Sequence, residues 1–263
     1  MGVVGVGRCM FAIAAASVGI LALAYGDFAP AWHAFPAWVP GQEICIEAIS
    51  VILLAASAAL CVPRSSIPGL WAIGVYYLIW AVIASAPIFA APLSIGAWYG
   101  TTEALTALAG AVLLYALLRP ERSPLAARTA QIVFGLTCVF YGWSHFAYAD
   151  YTAGMVPAWL PGGVVVAYFT GACHMAAGLG LIARVLPRLA ATLEAVMMSL
   201  FGLLVWVPTF LIDDKPKWAT PPQNQWTELV VNLVLAAAAW IVALSLKQRR
   251  TAVPPQKDIG SLY

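Results

Sequence analysis

The stretch Leu229-Val-Val-Asn-Leu-Val-Leu-Ala-Ala-Ala-Ala-Trp-Ile-Val-Ala-Leu-Ser-Leu246 contains no charged side chain. A helix needs about 20 mostly apolar residues to cross a bilayer, so this stretch predicts a membrane span. Similar apolar stretches follow one another along the chain, separated by short connections rich in Pro and Gly. They lack the alternation of apolar and polar residues that marks the strands of a membrane β-barrel. The sequence therefore predicts an all-α polytopic membrane protein with eight transmembrane helices, at about residues 8–26, 42–62, 68–90, 98–118, 127–148, 163–183, 189–211 and 226–246.

The composition agrees with this fold class and excludes others. Of the 263 residues, 63% are hydrophobic and only 9% are charged, whereas a soluble domain carries about 25% charged residues. Too few charges remain to cover a soluble surface, which excludes a soluble enzyme and a disordered chain. The net charge of +2 gives no basic face, so no nucleic-acid partner is expected.

The basic residues indicate the orientation, because cytoplasmic loops carry an excess of Lys and Arg. Eight spans put both termini on one side, and we expect this side to be the cytoplasm of a bacterial cell with the protein in its inner membrane. A cleavable signal peptide is the alternative for the first span. The side of the termini holds 11 of the 13 basic residues and the other side holds Lys215 and Lys217; the eleven are Arg8, Arg64, Arg119, Arg122, Arg128, Arg184, Arg188, Lys247, Arg249, Arg250 and Lys257.

An internal duplication divides the chain into two halves. The segment PAWVPG at 36–41 recurs as PAWLPG at 157–162, an offset of 157 − 36 = 121. Thr102-Glu103 recurs as Thr227-Glu228, an offset of 227 − 102 = 125. We therefore expect two four-helix repeats of parallel topology, at 1–119 and 120–250, related by an axis along the membrane normal. Residues 251–263 are predicted to form a cytoplasmic tail.

The second half resembles the DoxX-like family of small four-helix membrane proteins. The residues that carry the resemblance are Arg128, Gly135, the Gly142-Trp143-Ser144-His145 segment, the 156–161 loop and the Gly171-Ala172-Cys173-His174 segment with Gly178. The resemblance implies a tandem pair of DoxX-like units and a link to quinone-dependent sulfur oxidation or to membrane oxidoreductase complexes. Where many DoxX-like proteins carry a Glu in this helix, the chain has His174.

Polar residues within or near the spans are the candidate ligand-binding residues, because charged groups in a bilayer are costly and mark functional sites by default. Glu103 and Glu228 occupy matching positions, and convergence would let them share a proton or a cation. Each could instead meet water or cap its own helix start. Glu47 lies near the start of the second predicted helix, where solvent exposure is the alternative.

Two histidines and two tryptophans complete the candidate ligand-binding set. His145 could exchange protons or bind a quinone carbonyl, or be one member of an interfacial aromatic belt. His174 lies near mid-membrane, where one interhelical hydrogen bond would satisfy it. Trp38 and Trp159, each between prolines, are expected to form lids over the two bundles or to anchor the protein at the interface. No metal-ligand pattern is present, and no catalytic residue is assigned.

The sequence leaves three functions open, and whether the protein is an enzyme is open as well. The first is a redox-linked accessory subunit that binds a quinone or another lipophilic small molecule beside a membrane or periplasmic oxidoreductase subunit. The second is a transporter or lipid-binding protein that uses the outward-facing acidic residues. The third is a membrane scaffold without a ligand. No covalently bound cofactor is predicted, and a quinone is the one candidate for a bound group.

Overall fold

The computed structural model of the chain describes residues 2–27, 38–122, 124–212 and 222–251. Within these ranges all regular structure is helical, and eight segments are long and apolar enough to cross a membrane. The prediction of an all-α polytopic membrane protein is confirmed. Except for Thr251, the predicted tail at 251–263 lies outside the described residues, as does the connection with Lys215 and Lys217.

Most spans are single helices, and two are interrupted. The third span consists of α3 and α4, and the seventh continues from α9 through a π-helical turn at Gly202–Trp206 and a 3-10 turn at Val207–Phe210. The helices are α1 (Val3–Tyr25), α2 (Gln42–Cys61), α3 (Ser66–Ile83), α4 (Ala86–Ala90), α5 (Tyr99–Leu118), α6 (Pro124–Ala147), α7 (Ala149–Ala153), α8 (Gly163–Ala183), α9 (Pro187–Phe201) and α10 (Pro222–Thr251).

Several helices begin a few residues before the approximate spans that the sequence predicts. We expected the prolines at 124 and 222 to lie in connections, but α6 begins at Pro124 and α10 at Pro222. The first helical turn tolerates Pro because its backbone N–H groups have no partner within the helix. The first helix also begins earlier than expected, at Val3 rather than at residue 8.

The centre of the bundle is the contact between α5 and α10. A Cβ atom added at Gly110 would lie 2.8 Å from the Cβ of Ala238 and 3.0 Å from its Cα. The two backbones therefore approach closely, as small residues permit where helices pack inside a membrane. Around this pair, α5 also packs against α6, and α10 packs against α1.

The helix contacts have the pattern that two repeats related by a two-fold axis would give. In the first half α1 packs on α2, α2 on α3 and α3 on α5; in the second half α6 packs on α8, α8 on α9 and α9 on α10. The last helix of each half contacts the first helix of the other, α5 against α6 and α10 against α1. The division at residue 120 stays a prediction, which this pattern favours.

Two pairs of matching residues also have matching conformations or partners. Gly41 and Gly162, which end the PAWVPG and PAWLPG segments, precede α2 and α8 with φ of 67° and 81°, a left-handed conformation that favours glycine. Arg8 donates to the carbonyl of Cys61, and Arg128 donates to that of Leu181. Both hydrogen bonds join residues 53 positions apart and satisfy carbonyl groups at a helix C-terminus.

Four glycines bring α6 and α8 into close contact. A Cβ atom on Gly142 would lie 2.6 Å from the carbonyl oxygen of Gly171, and one on Gly135 would lie 2.9 Å from that of Gly178. Any larger side chain would force the helices apart. This contact determines which side chains of α6 and α8 meet, and two histidines are among them.

Candidate functional site

A cavity of about 1670 Å³ lies in the second half of the protein. Its walls come from α6, α8, the seventh span and α10, with α7 and the N-terminal end of α5 at one side. Sites for small ligands commonly measure about 300–1,000 Å³, so a molecule with a long tail would fit. Most of the lining is apolar, and five carboxyl or imidazole side chains interrupt it: Glu103, His145, His174, Glu194 and Glu228.

The two histidine rings of this group are adjacent. Their ring centroids lie 5.1 Å apart in an edge-to-face arrangement, and Phe201 stacks on His145 at 5.9 Å. Nδ1 of His145 lies 2.9 Å from the hydroxyl oxygen of Thr170 and 3.4 Å from the carbonyl oxygen of Ala167. His145 thus comes from the end of α6 and packs onto α8, across the glycine contact described above.

His174 pairs with Glu194 of α9. Nδ1 of His174 lies 2.9 Å from Oε1 of Glu194, and the two residues are only 1% and 2% exposed. Oε2 of Glu194 is buried and accepts no hydrogen bond from an N–H or O–H group of the described residues. The Cys138 thiol of α6, a weak donor, interacts with the same carboxyl group.

The depth of this pair follows from the helix geometry. Glu194 is seven residues beyond Pro187, the first residue of α9 (194 − 187 = 7), which corresponds to roughly 10 Å along the helix axis. His174 is nine residues before Ala183, the last residue of α8 (183 − 174 = 9), or roughly 14 Å. A span is about 30 Å long, so both groups lie well inside it.

Glu103 and Glu228 line the other end of the same cavity. Both are half-buried, and the phenol of Tyr99 interacts electrostatically with both carboxyl groups. Burial raises the pKa of the Tyr151 phenol on α7, outside the spans, and the nearby Glu228 raises it further. The two glutamates that the duplication relates therefore meet at one cavity.

One wall of the cavity opens toward the lipid. It lies between α8 and α9, where apolar side chains line the cavity and are also largely exposed on the outside of the bundle. These side chains are Phe169, Leu179, Leu189, Leu193 and Leu200. Because they lie both on the cavity and on the apolar outside of the bundle, we call these side chains the lipid-facing wall.

Three residues of the predicted set lie apart from this cavity. Glu47 is exposed on α2, in the first half. Trp159 is 69% exposed and Trp38 is 83% exposed, and neither contributes to the cavity lining, although Pro157 and Leu160 of the Trp159 loop do. The ligand-binding roles of these three residues stay predictions. Glu47 lies exposed near the start of α2, and the two tryptophans lie exposed in loops.

Sequence reasoning missed Glu194 as a site residue. It is buried and its carboxyl group lies within hydrogen-bond distance of His174. A signal was present: α8 and α9 are joined by three residues, 184–186, so residues at similar distances from this turn lie at the same level of the hairpin. His174 and Glu194 lie 11 and 9 residues from its centre (185 − 174 = 11 and 194 − 185 = 9).

The first half holds large buried side chains where the second half holds the cavity. At the offset of 121, Met198 and Phe201, which line the cavity, correspond to Tyr77 and Trp80, which are 0% and 2% exposed. At the same offset, His174 and Glu194 correspond to Leu53 and Ile73, which are also buried. The polar pair and most of the cavity lining therefore belong to the second half.

The DoxX-like resemblance rests on the motifs of the sequence alone. Comparison of the chain with family models, with curated proteins and with solved structures finds no match.

Proposed function

We propose that this integral membrane protein binds a lipophilic small molecule of the quinone type in the cavity of its second half, as a redox-linked accessory subunit. One observation carries the proposal: a large apolar cavity, bordered by the lipid-facing wall, that is lined by His145, His174 and Glu194. Ionisable groups at this depth are costly, and a bound polar head group would compensate them. The resemblance to the DoxX-like family, with its link to quinone chemistry, adds independent support.

The cavity volume provides the test. We expect a Met198→Tyr/Phe201→Trp variant, which introduces the side chains of the first half, to bind at least tenfold more weakly than the wild type, because the added rings occupy the ligand's space. The measurement is a titration of protein in lipid nanodiscs with a benzoquinone that carries a ten-carbon tail, in its oxidised and reduced forms, combined with mass spectrometry of lipophilic molecules that copurify.

A matched control is Leu78→Tyr, which adds an aromatic ring at an exposed position of α3 outside the cavity. It should bind the probes as the wild type does. Equal binding by the filled variant and the wild type, or binding of neither redox form by the wild type, would contradict the proposal.

Transport of the same kind of molecule is a second candidate function. The observation that favours it is the change from α-helix to π-helix and then 3-10 helix in the seventh span, where Leu204, Val205 and Trp206 line the cavity. Irregular turns within helices are frequent at functional sites. Counterflow of a labelled probe in proteoliposomes would support transport, and binding without counterflow would leave the accessory function.

The proposed orientation places both termini in the cytoplasm of a bacterial cell and the Glu103 and Glu228 end of the cavity on the outer side, where an oxidoreductase partner would bind. We expect a green fluorescent protein fused after Tyr263 to fluoresce and alkaline phosphatase fused at the same point to be inactive, because only the first folds in the cytoplasm. The reverse pattern of activities would contradict the 11 to 2 distribution of basic residues.

A further inference from the structure

The hydrogen bonds around His145 determine which of its ring nitrogens carries the proton. The hydroxyl of Thr170 already donates to the carbonyl oxygens of Val166 and Ala167, at 2.9 and 3.1 Å. Its oxygen can therefore only accept from Nδ1 of His145, and the Ala167 carbonyl, the other neighbour of Nδ1, is also an acceptor. Nδ1 carries the proton, and in the neutral ring Nε2 is an acceptor.

Other hydroxyl groups at or next to the cavity already donate their protons to acceptors within the protein. Thr106 donates to the carbonyl of Thr102, so the Tyr141 hydroxyl, 2.8 Å from the Thr106 oxygen, is the donor in that contact. Ser144 donates to the carbonyl of Phe140. Near the histidines these groups have no proton left for a ligand.

The His174–Glu194 pair adds two more acceptors. With the carboxyl group ionised, Nδ1 of His174 donates to Oε1, which leaves Nε2 of the ring and Oε2 of Glu194 as acceptors. A buried carboxylate oxygen without a donor costs free energy, and a ligand's hydroxyl group would remove this cost.

The charged side chains of the cavity also limit which head groups it can bind. Three carboxyl groups line it, and no Lys or Arg is among its described lining residues. Where these carboxyl groups are ionised, the site repels an anionic head group. The amide of Asn232 on α10 can donate or accept, and the hydroxyls of Tyr148, Tyr151 and Thr152 belong to the end of the cavity beyond α6.

We infer that the cavity selects uncharged lipophilic molecules whose head groups donate hydrogen bonds, namely phenols and hydroquinones. The inference rests on the proposed function and makes it more specific. Each hydroxyl group of the head group donates to one acceptor among Glu194 Oε2 and the Nε2 atoms of His145 and His174, and the tail lies along the lipid-facing wall. A quinone, whose oxygens only accept, satisfies none of these atoms.

The test compares three probes with the same ten-carbon tail in nanodiscs under anaerobic conditions: a hydroquinone, its oxidised quinone and a straight-chain carboxylic acid. We expect the hydroquinone to bind at least tenfold more tightly than the quinone, and the carboxylic acid not to bind. Equal binding of the two redox forms, or tighter binding of the quinone, overturns the inference and leaves the proposed function standing. Binding of neither form overturns the proposed function itself.

Variants locate the preference within the cavity. Glu194→Gln replaces an acceptor-only group by an amide that also donates, so the preference for hydroquinone should fall at least threefold. Glu43→Gln makes the same change at an exposed position of α2 and should leave the ratio unchanged. His145→Phe, which keeps the ring stacked on Phe201, removes one acceptor and should also lower the ratio. A ratio unchanged in both cavity variants overturns the assignment of these acceptors.

Discussion

Replacing His174 by leucine lowers the free energy of unfolding by about 1–3 kcal/mol, the usual cost of leaving a buried hydrogen-bonding group without its partner. The reason is that Glu194 is 2% exposed and loses the hydrogen bond from His174 Nδ1. It must then either stay ionised without a partner or take up a proton. The measurement is the unfolding midpoint in mixed detergent micelles, for the wild type and His174→Leu in parallel.

The first half of the chain indicates which double variant should restore the lost stability. Leu53 and Ile73 occupy the positions that correspond to His174 and Glu194 and are buried there without difficulty. A His174→Leu/Glu194→Ile double variant should therefore recover most of the lost stability, because replacing both partners of a buried polar pair by apolar groups is often neutral. It should also lose the preference for the hydroquinone. Equal instability of the single and double variants would show that packing, not the unpaired carboxyl group, causes the loss.

Gly178→Ala is the second change with a large expected effect. The added methyl group would overlap the carbonyl oxygen of Gly135 and lie 2.8 Å from a methyl carbon of Val139. We expect a loss of about 1–3 kcal/mol, as is usual for overpacking, and weaker binding of the probes because α6 and α8 separate. Unfolding in detergent micelles measures the first effect, and titration measures the second.

The control for this variant is Gly74→Ala on α3. A Cβ atom there would meet only the Cβ of Ala111, at 3.9 Å, an ordinary contact. Since alanine is the better helix former by up to about 1 kcal/mol, we expect this variant to be as stable as the wild type or slightly more stable. Equal stability of Gly178→Ala and Gly74→Ala would contradict the close approach of α6 and α8.

The fold could be predicted from the sequence because its signals are local. Spans are long apolar stretches, and their connections carry prolines and glycines such as those of the PAWVPG and PAWLPG segments. Even so, the starts of α6 and α10 were misplaced, because a proline indicates a connection and a first helical turn equally well. The matching positions of Glu103 and Glu228 were also visible in the sequence.

The pairing at the site could not be predicted, because it depends on which helices meet. His145 and His174 are 29 residues apart (174 − 145 = 29), and they become neighbours only through the glycine contact of α6 and α8. Glu194 was overlooked because seven residues separate it from the helix start (194 − 187 = 7), which resembles an interfacial position. The cavity depends on the combined volume of side chains from several helices. No local sequence pattern indicates that combined volume.

The lipid-facing wall between α8 and α9 has a consequence for affinity. A molecule that enters through Phe169, Leu193 and Leu200 has already partitioned out of water, so its transfer from the aqueous phase contributes nothing further to selective binding. Occupancy of the site then depends on the mole fraction of the molecule among the lipids. For an abundant isoprenoid compound, the concentration in the membrane far exceeds the concentration in water. A modest preference over a phospholipid chain would then keep the protein saturated and would permit rapid exchange.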